Sequence, residues 1–88
     1  MMQKVYYEIH IIDGADVTFI KKYLTKTDAI NHYIKIPKIN CGNRFPRIQF
    51  LQLNYDLDGN LIYSISLKKK LIDINKIDIE NAKSLLSK

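Results

Sequence analysis

Between residues 48 and 70, apolar and polar side chains alternate on both sides of Asp58-Gly59-Asn60, and no other stretch of the chain restricts the fold so tightly. Leu51, Leu53, Tyr55 and Leu57 hold odd positions before the turn signal; Leu61, Tyr63, Ile65 and Leu67 hold odd positions after it. A period of two sends alternate side chains to one face, so this stretch reads as a β-hairpin with one apolar side. Parity then restricts the loop. Residues directly opposite each other share a face, so two apolar arms match only where paired numbers sum to an even value. A two-residue Asp58-Gly59 loop gives an odd sum and sets Leu51, Leu53 and Tyr55 beside Ser64 and Ser66. A three-residue loop, Leu57-Asp58-Gly59 or Asp58-Gly59-Asn60, restores the match and ends on a residue that tolerates left-handed backbone. This register turns Leu51, Leu53, Tyr55, Tyr63, Ile65 and Leu67 to the core and Phe50 to the opposite face.

The remaining elements arrange themselves around that hairpin. Residues 4–12 alternate cleanly, with Val5, Tyr7, Ile9 and Ile11 on one side, which predicts a strand with one buried face. Asp13-Gly14 marks a turn, and residues 17–24 read as a second strand, although Val17, Ile20 and Leu24 also suit a helical face. A three-residue loop here pairs Ile11 with Val17 and Ile9 with Phe19 but leaves Lys21 opposite Tyr7. Thr25, Lys26, Thr27 and Asp28 form a capping-box pattern, predicting a helix with Ile30, Tyr33 and Ile34 as its apolar stripe and Pro37 as its stop. Residues 37–47 show no periodicity and read as a long loop. Near the end, Asp78 suits an N-cap, and Ile79, Ala82, Leu85 and Leu86 follow at helical spacing. The expected fold is α+β: order ββαββα, a four-stranded, mainly antiparallel sheet with both helices packed on one face, in a single small domain spanning residues 1–88.

Composition bounds what such a domain can be. With 88 residues, 47% of them hydrophobic and 26% charged, the chain has enough apolar material for one thin core and too much for disorder. Apolar runs are short, which argues against a membrane-spanning helix, and Met-Met-Gln-Lys-Val-Tyr-Tyr-Glu at the start lacks a signal peptide's apolar centre. The single Cys41 forms no internal disulfide, so a cytoplasmic protein is expected. The net charge of +5 arises from 12 Lys and 2 Arg, a skew that an AT-rich genome also produces. A basic balance favours acidic partners without choosing among them.

The residues that carry chemistry are few. His10, His32 and Cys41 are the only imidazole or thiol groups, and none is paired in sequence, which points away from a metal site or a Cys–His nucleophile. Asp13, Asp16, Asp56 and Asp58 flank turns, where such side chains bond their own backbone. The glycines stand alone at 14, 42 and 59, so no phosphate loop is present. No catalytic residue, metal or cofactor is expected.

Recognition by surface remains. If both helices cover one side of the sheet, the other side carries Tyr6, Glu8 and His10; Thr18, Ile20 and Lys22; Phe50, Gln52 and Asn54; and Ser64, Ser66 and Lys68. Aromatic anchors in a polar surround suit a protein partner, and aromatics among lysines also suit single-stranded nucleic acid. Long loops often hold functional residues, which adds Lys38, Arg44, Phe45 and Arg47. The candidate partner-binding residues are therefore Tyr6, His10, Lys22, Lys38, Arg44, Phe45, Arg47, Phe50, Gln52 and Lys68. A small, lysine-rich, motif-free chain fits the accessory proteins of phages and mobile elements, many of which inhibit or modulate a host target by stoichiometric binding, anti-CRISPR inhibitors among them. The expected function is thus binding to a protein or nucleoprotein, with direct binding of single-stranded or duplex nucleic acid as the alternative. An uncovered edge strand would also permit a homodimer.

Overall fold

The computed structural model describes residues 4–39, 46–73 and 75–87. Along the chain run β1 (Lys4–Asp13), β2 (Asp16–Tyr23), α1 (Lys26–Tyr33), β3 (Lys38–Ile39), β4 (Arg47–Tyr55), β5 (Leu61–Ile72) and α2 (Ile79–Leu86). The strands form one antiparallel sheet in the order β2-β1-β4-β5-β3. Its four long strands and two helices realise the α+β, ββαββα arrangement. The two-residue β3 is an addition, drawn from the stretch read as loop and paired with the last residues of β5.

Both helices begin where their capping residues stand. Thr25 Oγ1 accepts from the Asp28 backbone N–H at 3.2 Å, and Asp78 Oδ1 accepts from that of Asn81 at 2.8 Å. Each bond satisfies one of the free donors of a first helical turn. At the far end of α1, Lys70 Nζ donates to the carbonyls of Tyr33 and Ile36 and lies 4.2 Å from the Tyr33 ring centroid. A cation there satisfies orphan carbonyls and complements the negative end of the helix dipole.

The core lies between the helices and one face of the sheet. Ile9 and Ile11 of β1, Ile48 and Phe50 of β4 and Ile72 of β5 meet Ala29 and Tyr33 of α1 and Ala82 and Leu86 of α2. Each large apolar side chain fully buried here contributes about 1.5–3 kcal/mol. One polar strut crosses this core. The Tyr23 hydroxyl donates to the Leu86 carbonyl at 3.3 Å and sits 2.9 Å from His32 Nδ1. A hydroxyl has one hydrogen, so the imidazole N–H at Nδ1 donates to the tyrosine oxygen. Burial, reinforced by Asp28, pushes the Tyr23 pKa up to about 12.

Three expectations about facing are corrected. In β1–β2 the loop has two residues, Gly14 and Ala15, and Gly14 has φ +66°. A bulge then skips Thr18, so Ile11 faces Phe19 and Tyr7 faces Tyr23, while Lys21 lies opposite Ile9. On α1, Ala29 and Tyr33 are buried, whereas Ile30 and Ile34 are exposed. The small Ala29 lets the helix approach closely enough for the Tyr33 ring to meet Phe50, centroid to centroid, at 5.8 Å.

The third correction concerns the defining hairpin. Its turn follows parity: Asp56 N–H bonds the Asn60 carbonyl, Tyr55 faces Leu61, and Leu57, Asp58 and Gly59 form the loop with φ +88° at Gly59. Immediately beyond, a bulge at Ile62 shifts the ladder, so Leu53 faces Ser64 and Leu51 faces Ser66; a second at Leu67 puts Phe50 opposite Lys68. Each bulge adds one residue to β5, so the first inverts the parity between the arms and the second restores it. Phe50 is in the core at 1% exposure for a different reason: β4 pairs with β1 in an unbroken register that sets Phe50 beside Ile9 on the side the helices cover, and Gln52, Asn54 and Lys68 share that side of the sheet. Leu51, Leu53 and Tyr55 belong to the other side. Tyr63 and Ile65 are turned toward the helix side as expected but remain exposed, because the helices do not reach them.

Candidate functional site

The sheet face away from the helices is uncovered, and register assigns its residues. β1 contributes Tyr6, Glu8, His10 and Ile12; β2 contributes Val17, Ile20 and Lys22; β4 contributes Arg47, Gln49, Leu51, Leu53 and Tyr55; β5 contributes Leu61, Ser64, Ser66 and Lys69. Because Leu51 and Leu53 point here, the face is more apolar than alternation in the sequence implied. Leu53 and Ile12 are buried beneath their neighbours on this face, while Ile20 is 54% exposed and Leu61 52%.

An aromatic and cationic cluster occupies one end. The Tyr6 and Tyr55 rings meet edge to face at 5.6 Å, and Lys22 Nζ lies 4.4 Å from the Tyr6 centroid and 5.7 Å from that of Tyr55. A cation over a tyrosine face is worth about 0.5–1 kcal/mol at an exposed site. It holds Lys22 across the face. Elsewhere, His10 Nε2 bonds Glu8 Oε1 at 2.9 Å, Gln49 Nε2 donates to Ser66 Oγ at 3.0 Å, and an Arg47 guanidinium N–H reaches the Gly14 carbonyl at 3.3 Å. Lys4, Lys22, Arg47 and Lys69 surround an apolar centre, and Glu8, the acid within it, is already engaged by His10.

A second feature lies on the helix side, where the end of α1 meets β5. Lys38, Lys68, Lys69 and Lys70 line an open cleft of about 730 Å³ with Tyr33, Ile36 and Pro37. Arg47, Lys69, Lys70 and Leu71 line an adjoining recess of about 440 Å³. No salt bridge among the described residues engages these lysines. Burial, with Lys38 nearby, pushes the Lys70 pKa down to about 8, while its two carbonyl acceptors favour the charged form.

The residues singled out from sequence therefore separate. Tyr6, His10, Lys22 and Arg47 share the open face; Lys38 and Lys68 converge with Lys69 and Lys70 at the cleft; Phe50 and Gln52 lie on the helix side, with Phe50 in the core. Arg44 and Phe45, like Cys41, lie outside the described residues. Sequence reasoning missed that Leu51, Leu53 and Tyr55 belong to the open face, where Leu53 is buried and the other two are half-buried, and it missed Lys70 as a helix-capping cation. One signal for the first three was present: Ile48 and Phe50 are apolar on even positions, out of phase with Leu51, Leu53 and Tyr55. Among the described residues no three His, Cys, Asp or Glu side chains gather as metal ligands, and no helix is long and apolar enough to cross a membrane. Comparison with protein-family models, curated proteins and solved structures returned no match to this chain.

Proposed function

We propose that the protein works by binding, with the open sheet face docking on a folded protein whose contact surface has an apolar centre and an acidic rim. The observation that carries this reading is the uncovered face itself: Tyr6, Tyr55, Leu51, Leu53 and Ile20 form an apolar centre ringed by Lys4, Lys22, Arg47 and Lys69. Aromatic anchors inside a charged rim are the usual anatomy of a protein interface, and the rim cations favour an acidic partner. An inhibitor or modulator acting stoichiometrically on a protein or nucleoprotein needs no more than such a surface. Base stacking suits this face less well. Tyr6 and Tyr55 pack against each other and Lys22 lies over a ring face, so neither offers the free platform that single-strand binders use.

Affinity capture with the full chain tests this reading. A partner retained by the wild type and by Ile34→Lys on the helix side, but lost with Tyr6→Ala and Ile20→Lys, supports it. Capture indifferent to both open-face variants overturns it. A second reading, binding of a phosphate-bearing polymer, draws on the convergence of Lys38, Lys68, Lys69 and Lys70 at one cleft. In that case affinity for a short oligonucleotide falls steeply between low and physiological salt, and Lys68→Ala lowers the salt slope. No binding at low salt rejects it.

A further inference from the structure

We infer that the protein self-associates, the outer edge of β5 pairing antiparallel with the same edge of a second copy about a twofold axis near Ser64. Three observations lead there, and none depends on what the open face binds.

The first is the free edge. β5 runs from Leu61 to Ile72, β4 flanks one side, and on the other side the only pairing among the described residues is with β3 at Leu71 and Ile72. Among the described residues, positions 61–70 thus present a row of outward backbone donors and acceptors, which is a template for another strand. The opposite edge differs. β2 has eight residues with Lys21 and Lys22 among them, the kind of charge that keeps an edge from pairing, whereas positions 61–67 of β5 carry none.

The second is composition. Leu61, Ile62, Tyr63, Ser64, Ile65, Ser66 and Leu67 form a stretch without charge, proline or glycine, rich in strand-forming residues, and positions 61–66 are exposed. Such a segment is adhesive unless covered. Bulges at Ile62 and Leu67 bracket it, but residues 63–66 keep a regular register between them.

The third is charge, which selects the occupant. At the turn end stand Asp56 and Asp58, at the other end Lys68, Lys69 and Lys70, with apolar residues between. Antiparallel pairing with an identical edge sets Tyr63 beside Ile65 and lays each lysine run along the partner's acidic turn. Parallel pairing would place lysine against lysine and acid against acid. The edge is therefore complementary to its own copy in one direction only, and a closed twofold interface of this kind stops at two protomers. Asp56 Oδ1 is already held by the N–H groups of Asp58 and Asn60, and Lys70, directly opposite Asp58 in this pairing, is held by the Tyr33 and Ile36 carbonyls, which leaves Asp58 as the freer acid and Lys69, one residue away, as the freer cation beside it.

Sedimentation of the full chain, followed from roughly 1 to 300 μM, reads the result directly. The wild type is expected to reach dimer mass. Ser64→Lys, an exposed position where the axis would set two new lysines face to face, is expected to remain monomeric with an unchanged far-ultraviolet spectrum. A second pair of variants fixes the direction without relying on that site. Asp58→Lys and Lys69→Glu should each weaken the dimer when alone, and an equimolar mixture should recover it, since each then meets its opposite charge across both halves. A wild type that stays monomeric throughout, a Ser64→Lys dimer as strong as the wild type, or a mixture no better than its components would each overturn the inference.

Discussion

At its base, the β4–β5 ladder carries Ile48, Phe50 and Ile72 in full burial beneath the helices; at its tip, the same two strands carry Leu61, Tyr63 and Ile65 half exposed. Residue type does not separate the two ends, since both are rich in leucine, isoleucine and aromatics. Reach does. An eight-residue helix spans about 12 Å and a twelve-residue strand about 40 Å, so neither α1 nor α2 can cover the length of β5. The molecule is accordingly elongated, 46 Å by 25 Å by 19 Å. The helix-covered base holds the fold together, and the tip, where β4 is paired with β1 as well as β5, keeps apolar surface available for contact.

The largest expected effect marks that division. Phe50→Ala should cost about 3–5 kcal/mol in chemical denaturation, as it empties the space between Tyr7 and Tyr33. Ile65→Ala should stay within about 0.5 kcal/mol for the monomer. Comparable losses at both sites would erase the contrast between base and tip.

Next in size is the strut through Tyr23. Tyr23→Phe leaves the Leu86 carbonyl and the His32 N–H without their shared partner, at about 1–3 kcal/mol. If the thermal midpoint is unmoved, the strut does not stabilise the base. Asn54 offers a smaller gain toward the tip. It is buried, and its Nδ2 has no partner among the described residues. Asn54→Val should therefore stabilise by about 1 kcal/mol, and a loss of stability would show that the amide is needed where it stands.

The mildest test is pH, and it concerns the base alone. The folded Lys70 pKa of about 8 lies below its ordinary 10.5, so between those values the unfolded chain binds more protons and stability rises with pH. Tyr23 and Tyr33 work in reverse. Their pKa values are raised by burial from 10 to about 12, so their contribution is complete below pH 10 and is lost as pH climbs to 12. Denaturation midpoints should thus pass through a shallow maximum near pH 10. Lys70→Met should remove the rising limb and leave the falling one.

Much of the fold was legible in the chain. Both caps, both turn glycines and the alternation of β1 act within a few residues, so local sequence suffices to place them. Facing was less legible. The three-residue turn at Leu57, Asp58 and Gly59 obeyed parity, but which side of β4 lies under the helices is set by its pairing with β1, and that is a contact between distant segments. Phe50 shows the consequence: read as the exposed anchor of a working surface, it is one of the most buried residues of the base. The same displacement hid Leu51, Leu53 and Tyr55, which the open face gained in exchange. On β1, whose pairing with β4 is unbroken, Tyr6 and His10 lie on the side expected for them; on β2 so do Ile20 and Lys22, while the bulge at Thr18 turns Val17 to the open face against expectation.

Sequence by itself determined the four long strands, the two helices, their order and the two hairpins, because strand period, capping and turn chemistry are short-range properties. Only the tertiary structure decided which face of the β4–β5 hairpin is inside. Ile48 and Phe50 are buried because β4 pairs with β1 so that they meet Ile11 and Ile9 on the side the helices cover, and no local preference within the hairpin specifies that pairing. The same global choice leaves residues 61–67 as an uncovered apolar edge and joins Tyr6, Tyr55 and Lys22 in one cluster.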